Sequence, residues 1–367
     1  MKRIIIEMVR LALNVFYAVC KWFPTRRKVV MMSRELDAEP LDFALLREEL
    51  HRRDASVSVV TLCKTVPKGA AIIGYAFYML KCIAHLATAA VCVVDTYCLP
   101  VSLLNHKPSL TVIQVWHALG AIKRFGYQSI GFTEGRDRNT AKWLRMHRGY
   151  TRVLCPSKAT AAFYKEAFDV PDEQLHIGGM PRIDWMLSDQ TALKERILQD
   201  NPRLSGKTVV LYVPTFRKHT PNAYRDVVDR IDHSRYEVIV SNHPLDTDVI
   251  DPLYTVDGYS SSELLTVADV VITDYSAIAF EAALQQKRVY FYVYDLAEYR
   301  DRSRGLNIDP TKELPSCSAT DADVLMTLLE QPYDAAALAA FCDRYIETAD
   351  THNTERLADY VENRLPH

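Results

Sequence analysis

Beyond its first two dozen residues the chain is a succession of short apolar runs separated by polar stretches of helix length. RKVVMMS (27–33), VSVVTL (57–62), AVCVVD (90–95), TVIQVWH (111–117), RVLCPS (152–157) and LHIGGM (175–180) are rich in Val, Ile and Leu. Apolarity that is continuous rather than alternating predicts strands covered on both faces, as in parallel sheets. Helices are predicted between them near 40–53, 70–87, 137–148 and 158–168. The pattern pauses at GGMPRIDWML (178–187), where two Gly and a Pro mark a boundary. It restarts with a helix at 190–199 and the strands TVVLYVPTFR (208–217), EVIVSNHP (237–244), DVVITDYS (269–276) and RVYFYVYD (288–295). Helices at 261–267, 277–285 and 320–364 complete the second half. Two alternating halves predict an α/β chain of two doubly wound, Rossmann-like domains facing across a cleft, 29–187 and 188–367.

The N-terminal segment reads differently. Arg3, Glu7, Arg10, Asn14, Tyr17 and Lys21 recur at helical spacing and form one narrow polar stripe among Ile, Met, Val, Leu and Phe. The charges break the apolar length that a membrane-spanning helix requires, and no small-residue cleavage site follows, so a removable leader is not expected. Residues 1–28 hold seven basic side chains and one acidic one, in a chain of net charge -2. The expectation for 1–28 is an amphipathic arm lying on an anionic membrane surface; the alternative is a helix packed on the protein's own core. A second apolar stretch, 69–86, is expected as a buried helix, with a second membrane-facing helix as its alternative.

Composition narrows the function classes. With 367 residues, 49% hydrophobic and 25% charged, the chain is globular and long enough for two domains. Its 44 basic and 46 acidic residues nearly balance, which argues against a general nucleic-acid binder. None of the eight cysteines forms a CxxC pair, so they read as buried, reduced thiols rather than zinc ligands. There is no P-loop, no GxGxxG fingerprint and no GxSxG elbow. Asp246-Thr247-Asp248 is only a weak match to a metal-binding DxD pair.

The chemistry sits at the predicted strand ends, where doubly wound sheets bind ligands. One strand ends at His117, with Lys123 and Arg124 downstream; others end at Thr215-Phe216-Arg217, at His243-Pro244 and at Asp274-Tyr275-Ser276. An imidazole of ordinary pKa is mostly neutral at pH 7 and can take a hydroxyl proton. Ser276 is a natural cap for a helix carrying Glu281, and a helix N-terminus attracts anions. Arg217 and Arg304 suit a developing oxyanion, and His243 suits donation to a phosphate. Ordinary capping by Asp274 and Ser276, and a core position for His117, are the alternatives.

WHALGAIKRFG (116–126), GGMPRID (178–184), YVPTFR (212–217), SNHP (241–244), ADVVITDYSAIAFEAAL (268–284) and SRGLNID (303–309) together resemble the CDP-glycerol glycerophosphotransferase family, over residues 110–310. The resemblance implies a GT-B fold and transfer of glycerol phosphate from CDP-glycerol to a hydroxyl of a lipid-linked acceptor. CMP is released, and the reaction belongs to wall teichoic acid assembly. It also implies peripheral attachment to the cytoplasmic face of the bacterial cell membrane. The chain length is similar to that of a primase, whose acceptor is an undecaprenyl-diphosphate-linked ManNAc–GlcNAc disaccharide; a polymerase or another polyol stays open. By the resemblance His117 matches the family's base, and His243, Arg217, Thr273 and Ser276 match positions around the nucleotide diphosphate. Arg304 and Asp309 match the RG…D block, and Glu281 stands where other GT-B enzymes bind ribose. Lys123, Thr215, Asp274 and Tyr275 lie in the same blocks and are expected near the substrate. Ala277 replaces a serine common after TDYS. The expected mechanism relies on protein cations, with no bound metal or other cofactor. The rivals are a nucleotide-sugar glycosyltransferase of the same fold and a non-catalytic, membrane-bound nucleotide-binding scaffold.

Overall fold

The computed structural model describes residues 1–67, 69–217, 223–242 and 249–366. Its first half runs α1 (Lys2–Cys20), β1 (Lys28–Ser33), α2 (Leu41–Arg53), β2 (Ser58–Cys63), α3 (Ile72–Ala87), β3 (Val91–Val94), α4 (Leu99–Leu103), β4 (Thr111–Gln114), α5 (Arg138–Trp143), β5 (Arg152–Cys155), α6 (Lys158–Phe168), β6 (Leu175–Ile177) and α7 (Pro181–Leu187). The second half runs α8 (Thr191–Asp200), β7 (Thr208–Val213), α9 (Tyr224–Val228), β8 (Tyr236–Val240), α10 (Ser261–Leu264), β9 (Val270–Thr273), α11 (Ile278–Leu284), β10 (Arg288–Tyr292), α12 (Leu296–Glu298), α13 (Pro310–Glu313), β11 (Ser318–Ala319), α14 (Ala322–Glu330), α15 (Ala335–Tyr345) and α16 (Asn353–Glu362).

Two parallel sheets result. The first has the order β2-β1-β3-β4-β5-β6 and the second β11-β10-β9-β7-β8. The central strands β1, β3 and β4 are buried along their whole length, which is why their sequences do not alternate. Strand order reverses between β1 and β3 in the first sheet and between β7 and β9 in the second. At such switch points the flanking connections depart to opposite faces and leave a crevice beyond the strand ends.

The last helix departs from the sequence expectation. The stretch 320–364 is not one helix but α14, α15 and α16, and α16 returns to the first half, packing on α2 and α7. Arg53 of α2 pairs with Asp359 and Glu362. The carboxylate of Asp184 in α7 accepts from the backbone N–H groups of Asn353 (2.9 Å) and Thr354 (2.7 Å), satisfying donors that a helix start leaves orphaned. The predicted helix over 137–148 is only α5, followed by turns in which Arg145 and His147 take positive φ.

The N-terminal helix is bound to the body through its polar stripe. Asn14 donates to the Leu103 carbonyl (3.0 Å) and accepts from the Asn105 N–H (2.8 Å), and Lys21 donates to the Asn105 carbonyl (2.8 Å). Tyr17 is fully buried, with its hydroxyl 3.0 Å from His106 Nδ1. The opposite face, with Ile4, Ile5, Met8, Leu11 and Val15, is exposed, as are Trp22 and Phe23. No helix among the described residues is long and apolar enough to cross a membrane.

Candidate active site

A cleft of about 910 Å³ lies between the halves. The first half lines it with residues that follow β1, β3 and β4, among them Arg34, Glu35, Asp95 and His117; the second half contributes Ser260, Ser262, Glu263 and Glu281. It therefore opens at the switch point of the first sheet, where a ligand crevice is expected.

His117 is presented by a strained turn. Trp116 adopts φ 57°, a conformation costing about 1–3 kcal/mol for a side chain of this size. The strain is held by buried Gln114, whose Oε1 accepts from the Trp116 N–H (2.9 Å) while Nε2 donates to the Thr96 carbonyl and the Tyr150 hydroxyl. Trp116 stacks on Phe125 with ring centroids 4.8 Å apart. Four residues later Gly120, at φ 92°, lets the turn approach α11: a Cβ there would lie 2.2 Å from the Phe280 ring. The HALG motif is thus a turn that aims an imidazole while touching the second half.

The His117 ring is open to the cleft, and its Nδ1 lies 3.2 Å from the Asp95 carbonyl oxygen. A carbonyl only accepts, so Nδ1 carries the proton and Nε2 holds the lone pair. Desolvation by the cleft walls holds the imidazole below the ordinary histidine pKa, opposed by the charge of Glu35. The ring is neutral at physiological pH and competent to take a proton. Asp95 itself is only 2% exposed. Its Oδ1 has no partner among the described residues, and burial pushes its pKa up to about 7.

Glu281 lies in the same cleft and is already engaged. Its Oε1 accepts from Arg182 Nη1 (3.1 Å) and its Oε2 from the Ser262 hydroxyl (2.6 Å). Arg182 also binds Asp42, through its backbone N–H (2.9 Å) and its side chain. The buried triad Asp42–Arg182–Glu281 couples α2, α7 and α11, and sequence inspection quoted Arg182 in GGMPRID without assigning it a role.

In the TDYS block Thr273, Asp274 and Tyr275, expected near the substrate, are buried and engaged within the fold. The Thr273 hydroxyl donates to the Val213 carbonyl (2.7 Å). Asp274 accepts from the N–H groups of Thr215 (2.9 Å) and Tyr275 (2.6 Å), tying the ends of β7 and β9 together. Arg217, expected on an oxyanion, is buried between carboxylates: Nη1 reaches Asp274 at 2.7 Å, and Nε and Nη2 reach Asp295 at 2.6 and 3.0 Å. These contacts fasten the loops that follow β7, β9 and β10. Ser276 is half-buried, but Ala277 holds the cap position of α11, and the Ser276 hydroxyl accepts from the Ile278 N–H at 3.4 Å. The Thr215 hydroxyl is buried without a partner among the described residues.

Lys123 and Arg304 belong to a clasp between the halves, and Asp309 follows it at the start of α13. Lys123 forms an antiparallel bridge with Leu306; Arg124 N–H donates to the Gly305 carbonyl (3.0 Å) and Asn307 N–H to the Ile122 carbonyl (2.8 Å). Arg304 donates from Nε to the Arg124 carbonyl (3.1 Å). Burial, reinforced by Arg304, lowers the Lys123 pKa to about 8. Asp309 is a cap, accepting from the Thr311 N–H (3.1 Å) and hydroxyl (2.7 Å) at the start of α13. His243, together with Asp246 and Asp248 of the DxD match, lies outside the described residues.

Comparisons with known proteins agree with this architecture. A family profile described as CDP-Glycerol:Poly(glycerophosphate) glycerophosphotransferase matches residues 15–363. The chain is 30% identical over 363 residues to the teichoic acid ribitol-phosphate primase of Bacillus spizizenii, covering 92% of this chain and 91% of the relative. It is 27% identical over 300 residues to the teichoic acid glycerol-phosphate primase of Bacillus subtilis, covering 78% and 77% respectively. A solved structure of the wall teichoic acid polymerase TagF, a variant soaked with CDPG, superimposes with a TM-score of 0.75 at 17% identity, covering 99% of this chain and 97% of that one. The α/β fold of two parallel sheets is accordingly GT-B-like.

Proposed function

The chain belongs to the CDP-glycerol:poly(glycerophosphate) glycerophosphotransferase family, enzymes of teichoic acid synthesis, and from that premise we propose that it adds glycerol phosphate from CDP-glycerol to a hydroxyl of a lipid-linked disaccharide. One observation carries the chemistry: a neutral imidazole whose Nδ1 is committed to a backbone carbonyl opens into the cleft between the halves. His117 Nε2 takes the proton of the acceptor hydroxyl. That oxygen forms a bond to the glycerol-bearing phosphorus while the bond from phosphorus to the CMP oxygen breaks, and CMP leaves with the bonding pair. Lys123 and Arg304, neighbours at the clasp, supply positive charge for the phosphate oxygens. Glu281 and Ser262 offer hydrogen-bond capacity to the nucleoside. In this reading the residues of the chain carry the reaction without a resident metal.

The same reading puts the enzyme on the cytoplasmic face of the membrane. Its support is the orientation of α1, which spends its polar stripe on the protein and leaves its apolar face exposed, the reverse of a helix that stabilises a core. A second donor, CDP-ribitol, is favoured by the likeness to the ribitol-phosphate primase.

The test is CMP release by the purified enzyme with a prenyl-diphosphate-linked ManNAc–GlcNAc acceptor, comparing CDP-glycerol, CDP-ribitol and UDP-sugars. CDP-glycerol is expected to give the highest kcat/KM, and His117→Ala to lower turnover by about 10²–10⁴-fold with the fold intact. Turnover near wild type in that variant removes the base assignment. Release of UDP in place of CMP identifies a glycosyltransferase.

A further inference from the structure

We propose that Arg34 and Arg136 form an anion subsite that grips a phosphate group of the acceptor, beside His117 and at the first sheet's switch point. The inference rests on the transfer reaction proposed above and names the chemistry by which its acceptor is held.

Arg34 directly follows β1, and Arg136 lies at the end of the loop that leaves the HALG turn. Both line the cleft that contains His117. Both guanidinium groups sit against the Tyr97 ring, at 5.0 and 5.3 Å from its centroid. Two cations on one ring are thus brought near each other although like charges repel, and their proximity is felt: burial and the Arg34 charge together lower the Arg136 pKa. Neither forms an ion pair among the described residues, and Arg34 Nε is buried without a hydrogen-bond partner. Glu35, exposed on the same rim, offsets part of the charge. The buried arginines are matched, Arg182 by Asp42 and Glu281 and Arg217 by Asp274 and Asp295, whereas half-buried Arg34 and exposed Arg136 are not. An unmatched pair with an idle donor is built for a ligand that brings the anion, and planar guanidinium forks suit phosphate oxygens.

The surroundings indicate which phosphate. Arg34 and Val66 border both the cleft and a small cavity whose other wall is Tyr75, Tyr78 and Met79 of α3. Further along, Ile72, Ile73 and Phe77 of α3 are exposed. Arg34 therefore joins the imidazole's cleft to an apolar outer face. A molecule lying along this path offers a hydroxyl to His117, a phosphate to the two arginines and an apolar chain to α3, which is the order of groups in a lipid-diphosphate-linked sugar.

With CDP-glycerol saturating, CMP release is measured against two acceptors: the disaccharide on a short prenyl diphosphate, and the same disaccharide as an alkyl glycoside without phosphate. The wild-type preference in kcat/KM for the diphosphate acceptor is expected to fall about tenfold or more in Arg34→Gln and in Arg136→Gln, and further in the double variant. Arg34→Lys with Arg136→Lys, which retains both charges should the Gln forms fold poorly, keeps part of the preference. An unchanged preference in the double Gln variant overturns the subsite, as does a rise in KM for CDP-glycerol in place of the acceptor. If the wild type uses neither acceptor, the transfer reaction itself fails. The subsite is then judged by calorimetric titration of methylenediphosphonate: weaker binding to the double variant supports it, and equal or no binding overturns it.

Discussion

Replacing Asp95 by Asn should stabilise the enzyme at alkaline pH and leave it unchanged in acid. The carboxyl is 2% exposed, its Oδ1 finds no partner among the described residues, and Glu35 and Asp42 add like charge. Desolvation first, and those charges second, raise its pKa from an ordinary 3.8 to about 7. The native state thus keeps a proton that the unfolded chain releases above pH ~4, so native protein binds more protons and stability falls as pH rises from ~4 to ~7. At 1.36 kcal/mol per pH unit the loss is about 4 kcal/mol. Asparagine, nearly isosteric with the protonated acid, avoids it. Because His117 is anchored on the backbone carbonyl of Asp95, the substitution leaves that hydrogen bond in place. Thermal melting of both proteins at pH 5 and pH 8 is the assay. The variant should melt several degrees above wild type at pH 8, and above it by roughly a third of that difference at pH 5, where the unfolded carboxyl has already ionised. An equal difference at the two pH values, or a variant that melts lower at pH 8, would falsify the reasoning that burial of this carboxyl sets its charge.

Arg217→Met should cost about 3–5 kcal/mol, since it strands the carboxylates of Asp274 and Asp295 beside the ends of β7 and β9; a melting temperature within a degree of wild type would show that the pairs add nothing. Glu at Met8, Leu11 and Val15 together should abolish sedimentation with anionic liposomes without lowering the melting temperature, because all three side chains are exposed. If that variant sediments like wild type, the membrane contact lies elsewhere, with the exposed Ile72, Ile73 and Phe77 of α3 the next to be changed.

Much of the fold was legible because parallel strands buried on both faces have no choice but to be apolar throughout. β1, β3, β7 and β10 all begin within a residue of where the Val and Ile runs predict. What periodicity could not reveal was where strands stop. TVIQVWH ends as a strand at Gln114, since buried Gln114 folds back to cap the strained Trp116, a contact between residues two apart that leaves no mark on hydropathy. The destination of α16 was hidden for a similar reason. Its apolar face fits either half, and what selects the first is the carboxylate of Asp184, one polar residue 169 positions earlier.

The site shows a sharper limit. Strand ends in both sheets carry Asp, Thr, Arg and His, and these residue types serve a phosphate and a backbone equally well. In the second sheet Asp274 and Arg217 are spent internally: Asp274 closes the gap between β7 and β9 by accepting two N–H groups, and Arg217 neutralises it, while the Thr215 hydroxyl stays buried without a partner among the described residues. In the first sheet the groups at the switch point stay unspent, with Arg34 Nε and Asp95 Oδ1 buried and unpaired and the His117 ring open to the cleft. TDYS stands out as a motif because so many of its polar atoms are needed to hold one turn. Arg34 and Asp95, each a single polar residue after an apolar run, stand out only when their hydrogen bonds are sought and found missing. A buried polar atom without a partner costs the fold about 1–3 kcal/mol, a cost offset when a ligand supplies the missing group. By that criterion Arg34 and Asp95 are the groups at the first sheet's switch point that a ligand would satisfy.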